Sequence, residues 1–378
     1  MSGGPDPARA CLDAQVLAWM HEPATPEHWP ADDARFEAIA LELFRFQVEH
    51  CAAYRRFCEG RGRTPRTIHA WHEIPPVPTG AFKEVAIRSF PAERCTHVFR
   101  TSGTSSELRG ELALDTLALY EASLVPSFRL HVLPDLVEGA RMQLRILTSS
   151  AQEAPDSSLS HMFATLLPLF GAPGSGFDVS GGRVDHAALL ARLRAASKAG
   201  ELVALCGTAF AFVHLLDELK RRGEKLCLPA GSRVMETGGF KGRSREMPRA
   251  ELYAAIESCL GVPSARIVNQ YGMTELASQF HDSVLRFPGT RRRKLGPPWA
   301  RVRLVSPETG EDVAPGEVGM IAVYDLGNTG SVLAVQTADL GRAIGEGFEV
   351  LGREAGAEAR GCSLALDEML ASSSEGRP

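Results

Sequence analysis

The sequence predicts an α/β protein, and three observations carry that reading. From Arg141 onward, short apolar runs alternate with stretches of helical periodicity. Several of the runs end in Gly/Thr-rich turns, as strands do where they feed the helices of a mostly parallel sheet. After about residue 284 the texture changes to short β-rich runs separated by tight turns, which predicts a small β-rich subdomain beside the larger core.

Taken in order, residues 12–60 read as helical through Leu12, Val16, Leu17 and Trp19, then Phe36, Ile39, Leu41, Leu43 and Phe44. The helix over 34–50 is expected to continue through 51–58. Ile74-Pro-Pro-Val-Pro78 breaks regular structure and leads to Phe82-Lys83 and Phe90. His97-Val98-Phe99 is strand-like and runs into Thr101, Ser102, Gly103, Thr104, Ser105 and Ser106. Asp115 then reads as the cap of a helix over 116–124. Strands are expected at 143–147, 202–206, 233–236 and 265–269. Helices are expected at 160–170, 185–197, 209–222 and 249–260. Beyond 284, strands at 302–305, 317–323 and 332–336 alternate with Pro307-Glu-Thr-Gly310 and Pro315-Gly316. The predicted divisions are 1–284 for the α/β core, 285–352 for the β-rich subdomain and 353–378 for a truncated C-terminal segment. A polar Ser/Glu/Gly tail that reads as disordered closes that segment.

Composition narrows the class. The 378 residues are 44% hydrophobic and 23% charged, as in an ordinary globular chain. A net charge of −5 and a pI of about 6.2 give no electrostatic pull toward nucleic acid. The basic run Arg291-Arg-Arg-Lys294 reads as a solvated loop. Eight scattered cysteines show no zinc-ligand spacing, and no run is apolar enough to span a bilayer. A reduced, cytoplasmic protein is expected.

The chemistry-bearing residues gather at strand ends. Thr101–Ser106 puts five hydroxyls and a glycine into six residues, and such a turn can form an anion-binding nest of N–H groups. Glu236-Thr-Gly-Gly-Phe240 follows a strand, as does Asn269-Gln-Tyr-Gly-Met-Thr-Glu275. Asp339 and Arg353 come later. Singly, each has a plain alternative: a Ser/Thr surface turn, a core tyrosine, a helix-terminal acid or a turn former.

In this order and spacing the four features resemble the adenylate-forming superfamily of acyl-CoA synthetases, luciferases and peptide-synthetase adenylation domains. The superfamily's phosphate loop, T-S-G-T-T-G-x-P-K-G, stands here as Thr101-Ser-Gly-Thr-Ser-Ser-Glu-Leu-Arg-Gly110. Its Y-G-x-T-E motif is intact at Tyr271–Glu275. Its T-G-D-L motif appears as Thr337-Ala-Asp-Leu340, and its G-R hinge as Gly352-Arg353. The loop departs from the pattern at Ser106, Leu108 and Arg109.

The resemblance implies the superfamily's large domain, with ATP and Mg²⁺ as cofactors. It implies that Thr101–Ser106 grips phosphates, with Arg109 at the lysine position. Thr274 would meet the α-phosphate or the acyl oxygen, and Glu275 would ligate Mg²⁺. Gly238, Gly239 and Tyr271 would form the adenine side and Asp339 would bind the ribose hydroxyls, with Phe240, Asn269, Gly272 and Arg353 as further nucleotide-binding residues. No lysine follows Lys294, so the superfamily's C-terminal catalytic lysine has no counterpart.

What stands near the end is Gly361-Cys-Ser363, similar to LuxE-type acyl-protein synthetases, in which a C-terminal cysteine takes the acyl group. Residues 74–83 and Asp156-Ser-Ser-Leu159 also resemble that branch. Cys362 is the implied acceptor. Gly361 and Ser363 leave the thiol accessible, and Arg360 favours a thiolate. Cys206 and Cys259 read as core. Phe163, Phe210, Phe212, His214 and Phe240 are candidates for an acyl pocket or for plain core.

The expected function is therefore ATP-dependent activation of a fatty or other carboxylic acid. Cys362 would be loaded for an acyl reductase or another acyl-accepting protein. The alternatives are an acyl- or aryl-CoA ligase, and a non-catalytic nucleotide-binding subunit.

Overall fold

The computed structural model describes residues 6–102, 108–238, 247–353 and 368–369. Three N-terminal helices form first: α1 (Pro7–Met20), α2 (Asp33–His50) and α3 (Ala52–Gly60). Asp6 and Asp32 accept hydrogen bonds from the first-turn N–H groups of α1 and α2. The expected run through 51–58 is interrupted. Cys51 adopts an extended conformation, which ends α2 and starts α3 as a separate helix.

The segment around Pro75 is held by main-chain acceptors, with Tyr54 donating to the Pro75 carbonyl and Tyr324 to that of Ile74. It supplies the two-residue strand β1 (Val77–Pro78), which pairs parallel to a late strand, and a short α4 (Ala81–Glu84). A hairpin follows, β2 (His97–Arg100) with β3 (Glu111–Leu114), forming its own two-stranded sheet. Helix α5 (Ala118–Val132) starts later than expected, and Asp115 does not cap it. The Asp115 carboxylate is instead held by the buried Arg9 at 2.8 and 2.9 Å, a partner too remote in sequence for a local pattern to reveal.

The alternating region then builds β4 (Gln143–Leu147), α6 (Ser158–Phe170), β5 (Gly176–Phe177), β6 (Val179–Ser180), β7 (Arg183–Val184), α7 (His186–Ala199), β8 (Val203–Thr208), α8 (Ala209–Arg222), β9 (Arg233–Thr237), α9 (Arg249–Leu260) and β10 (Ile267–Tyr271). Ser157, Asp185 and Thr208 cap α6, α7 and α8 through their side chains. Gly223 closes α8 at φ +66°, a left-handed turn in which other residues are strained.

The remaining strands are β11 (Phe280–Asp282), β12 (Lys294–Leu295), β13 (Ala300–Val305), β14 (Val318–Asp325), β15 (Ala334–Ile344) and β16 (Gly347–Arg353). The described residues place β1, β4, β5 and β8 to β16 in one 12-stranded sheet, ordered β13-β14-β15-β16-β12-β11-β10-β9-β8-β4-β5 with β1 beside β15. Strands β5, β4, β8, β9 and β10 are parallel, and β11 begins the antiparallel part. Buried side chains form one apolar cluster that joins the N-terminal helices, α5 and α6 to the sheet. A second lies under α7, α8 and α9. Cys206 is buried and Cys259 half-buried.

The basic run at 291–294 is not a solvated loop throughout. Lys294 lies in β12, about 1% exposed, because a buried acid on the neighbouring strand receives its charge. The polar tail lies outside the described residues. Glu368 and Met369 dock on α3, where Arg56 donates to the Met369 carbonyl at 2.7 Å and Arg61 pairs with Glu368. No described helix is long and apolar enough to cross a membrane.

Candidate active site at the carboxyl ends of the strands

Parallel strands deliver their following loops to one edge, so β8, β9 and β10 bring Thr208, Thr237–Gly238 and the Tyr271–Glu275 turn side by side. The register fixes this: Thr208 pairs with Thr237, and Thr237 with Gln270. Gly238 leaves β9 at φ +80°, and among the described residues a Cβ placed there would meet nothing within 4 Å. A positive φ of this kind favours glycine. Gly239, Phe240, residues 103–107 and Cys362 lie outside the described residues.

A buried polar network underlies this edge. Glu236 accepts from the Tyr253 hydroxyl at 2.8 Å and from Asn269 Nδ2 at 2.7 Å. Lys294 donates to the Asn269 main-chain oxygen at 2.6 Å, to Asn269 Oδ1 and to Asp282 Oδ1 at 2.8 Å. Arg292 also pairs with Asp282. Burial pushes the Glu236 carboxyl up, partly offset by Lys294. For Asp282 burial acts in the same upward sense, but Lys294 and Arg292 prevail and hold it low. The Asn269 side chain is thus engaged inward on both its amide atoms. The Tyr253, Asp282 and Lys294 members were missed in the sequence, since nothing local distinguishes them.

The stem of the hydroxyl-rich segment, Thr101 and Gly110, stands at the end of the β2–β3 hairpin. Thr101 N–H donates to the Gly110 carbonyl at 2.9 Å, and Gly110 N–H donates to Thr101 Oγ1 at 2.8 Å, closing the loop's stem. A Cβ on Gly110 would stand 3.2 Å from Thr101 Cγ2 and 3.6 Å from Glu275 Oε1. The stem and the Glu275 carboxylate are therefore neighbours. Glu275 is about 5% exposed, and its carbonyl accepts from Asn328. Thr274 Oγ1 donates to the Arg100 carbonyl at 3.4 Å. Arg109 is turned along the stem: it donates to the Thr101 carbonyl at 2.6 Å and pairs with Asp156 at 2.7 Å.

Asp339 lies inside β15 beside a bulge, rather than at a strand end, and faces Arg353 across the β15–β16 ladder. Its two oxygens accept from the Tyr271 hydroxyl at 3.0 Å and from Arg353 Nε at 3.1 Å. Each carboxylate oxygen keeps a second lone pair for a hydroxyl donor. The half-buried Tyr271 ring packs edge-on against Phe348, which steadies it. Among the phenylalanines, Phe163 and Phe212 are fully buried, whereas Phe210 stacks edge-on with the exposed His214. A surface groove of about 530 Å³ lined by Arg141, Leu167 and Gly171 sits at the opposite, amino-terminal end of β4, away from these groups.

Comparison with known proteins places the family and the fold. The profile of the family "Acyl-protein synthetase, LuxE" matches residues 12–371. A long-chain-fatty-acid–luciferin-component ligase of Aliivibrio fischeri is 23% identical over 322 residues, 84% of this chain and 82% of that protein. The protein of the same name from Vibrio harveyi is 20% identical and covers 93% of each chain. The crystal structure of an open conformation of 2-hydroxyisobutyryl-CoA ligase, in complex with 2-HIB-AMP and CoA, superposes with a TM-score of 0.59 at 14% identity. That match covers 88% of this chain and 81% of the other, and it establishes a shared adenylate-forming ligase fold.

Proposed function

The chain belongs to the acyl-protein synthetase LuxE family, whose profile spans nearly all of it, and from that premise we propose that it is an ATP-dependent fatty acid ligase that loads its own Cys362. The observation that carries the reading is the convergence of Thr101, Gly110 and Glu275 with Tyr271 and Asp339 at one sheet edge.

The residues fit a nucleotide. The Gly238 turn would lie along the purine and the half-buried Tyr271 ring would offer a face for adenine, while Asp339 has acceptor oxygens for ribose hydroxyls. Lys294 holds the Asn269 main chain, and Arg353 orients Asp339; Gly272 would lie along the nucleotide. The loop from Thr101 and Ser102 through Gly103, Thr104, Ser105 and Ser106 would hold the terminal phosphates. Glu275, with phosphate oxygens, would hold Mg²⁺, which is commonly bound by one carboxylate plus substrate phosphates and which offsets negative charge when present.

In the first step a carboxylate oxygen of the acid attacks the α-phosphorus, the α–β bridging bond breaks, and pyrophosphate leaves. Thr274 would orient the acyl or α-phosphate oxygen, and Arg109 braces the loop's stem. In the second step the Cys362 thiolate attacks the acyl carbonyl, AMP leaves, and a thioester forms that keeps the acyl group activated for a partner such as an acyl reductase. The test is fatty-acid-dependent exchange of labelled pyrophosphate into ATP. Exchange that needs the acid supports the reading. Its absence across saturated acids of different length, with folded protein, refutes it.

A further inference from the structure

Asp156 stands outside the groups just assigned, yet its carboxylate meets the phosphate loop's stem through Arg109. The planar guanidinium donates in three directions: Nε to the Thr101 carbonyl at 2.6 Å, Nη2 to the Arg100 carbonyl at 3.3 Å, and Nη1 to Asp156 Oδ2 at 2.7 Å. The Asp156 main chain joins in, since its carbonyl accepts the Arg100 N–H at 2.8 Å. The next residue, Ser157, caps α6, so Asp156 is fixed to the start of a helix. The Arg100 carbonyl also receives Thr274 Oγ1. The loop's entry and exit are thus cross-linked by Arg109, and the cross-link is bolted to α6 and to the Tyr271–Glu275 turn.

We propose that Asp156 is a positioning residue: acting through Arg109, it sets the stem of the hydroxyl-rich loop against Glu275 and so sets the affinity for a triphosphate. The proposal rests on the functional reading above and deepens it. Lysine has no fork to reach two carbonyls and a carboxylate together, which gives arginine at position 109 a geometric reason. The Asp156 carboxylate locally balances the guanidinium charge, so Arg109 serves the loop as a brace rather than as a phosphate ligand. Both side chains are about a third exposed, and an ion pair so placed contributes little to stability. Its removal is therefore expected to alter geometry without unfolding the protein.

The experiment is a double-mutant cycle on the full chain with Asp156→Asn, Arg109→Lys and the pair. It reads ATP affinity by calorimetry, KM for ATP and for fatty acid by pyrophosphate exchange, and the thermal midpoint. Each single variant is expected to weaken ATP binding about tenfold, the scale of one charge-assisted hydrogen bond, with KM for the acid and the midpoint unchanged. The pair is expected to weaken it no further than the worse single, and Asp156→Glu is expected to recover most of the loss. Unchanged ATP affinity in Asp156→Asn overturns the proposal. So do effects that multiply in the pair, because Arg109 would then meet the phosphates on its own. Equal rises in both KM values with a lowered midpoint indicate a merely structural contact and overturn it as well. The calorimetric arms decide the matter even for a protein that binds ATP without exchanging pyrophosphate, and a wild-type chain that binds no ATP overturns both readings.

Discussion

Glu275 is a carboxylate held almost out of solvent beside the Thr101–Gly110 stem. Glu275→Gln keeps the shape and removes the charge. Pyrophosphate exchange should fall by at least about a hundredfold, the scale of losing one group that offsets transition-state charge, while the denaturant midpoint holds. Lys294 presents the opposite case, a charge whose role is structural. Lys294→Met leaves Asp282 buried with the Asn269 N–H and the partly exposed Arg292, and removing one member of a buried pair typically costs about 3–5 kcal/mol. Urea unfolding should register that loss, and an unchanged midpoint would show that the network does not hold the edge.

At the scale of elements, α5 packs against β11 through two stacked imidazoles, His131 and His281, with ring centroids 5.4 Å apart. Among the described residues neither His281 ring nitrogen has a partner, while His131 Nδ1 donates to the Ser127 carbonyl. Burial, with Arg286 beside it, lowers His131 from 6.5 to about 3, and burial lowers His281 as well. The unfolded chain therefore binds protons that the folded one refuses, and stability is lost as pH falls from about 6.5 toward 3. His131→Phe should remove about 2 kcal/mol of the stability difference between pH 7 and pH 5, read by urea titration at each pH. An identical pH slope in the variant would assign the loss elsewhere.

The elements themselves were the most legible part of the sequence. Helices 209–222 and 249–260 and strand 143–147 fall where periodicity puts them, because apolar spacing and adjacent caps such as Thr208 are local signals. Asp115, Lys294 and the Arg109–Asp156 brace were not legible. Each is decided by a partner outside its own local segment: Arg9, Asp282 and Asp156. The motif positions were read from order and spacing, but that Asp339 lies inside a strand and is held from both sides needed the ladder.

For the whole molecule, the sheet is what turns scattered motifs into one edge. Order β15-β16-β12-β11-β10-β9 carries Asp339 and Arg353 toward Tyr271 across four antiparallel pairings. The C-terminal anchor returns the chain to the opposite terminus, with Met369 fully buried against the N-terminal helices. Acyl activation at the edge and acyl loading of Cys362 are separable claims, and one measurement addresses both. The full chain and its Cys362→Ser variant are incubated with ATP, Mg²⁺ and radiolabelled fatty acid, then scored for hydroxylamine-labile label on protein and for pyrophosphate exchange. The account predicts label on the wild type only, with exchange retained in both. Hydroxylamine-labile label persisting on Cys362→Ser, or exchange lost with it, would contradict it.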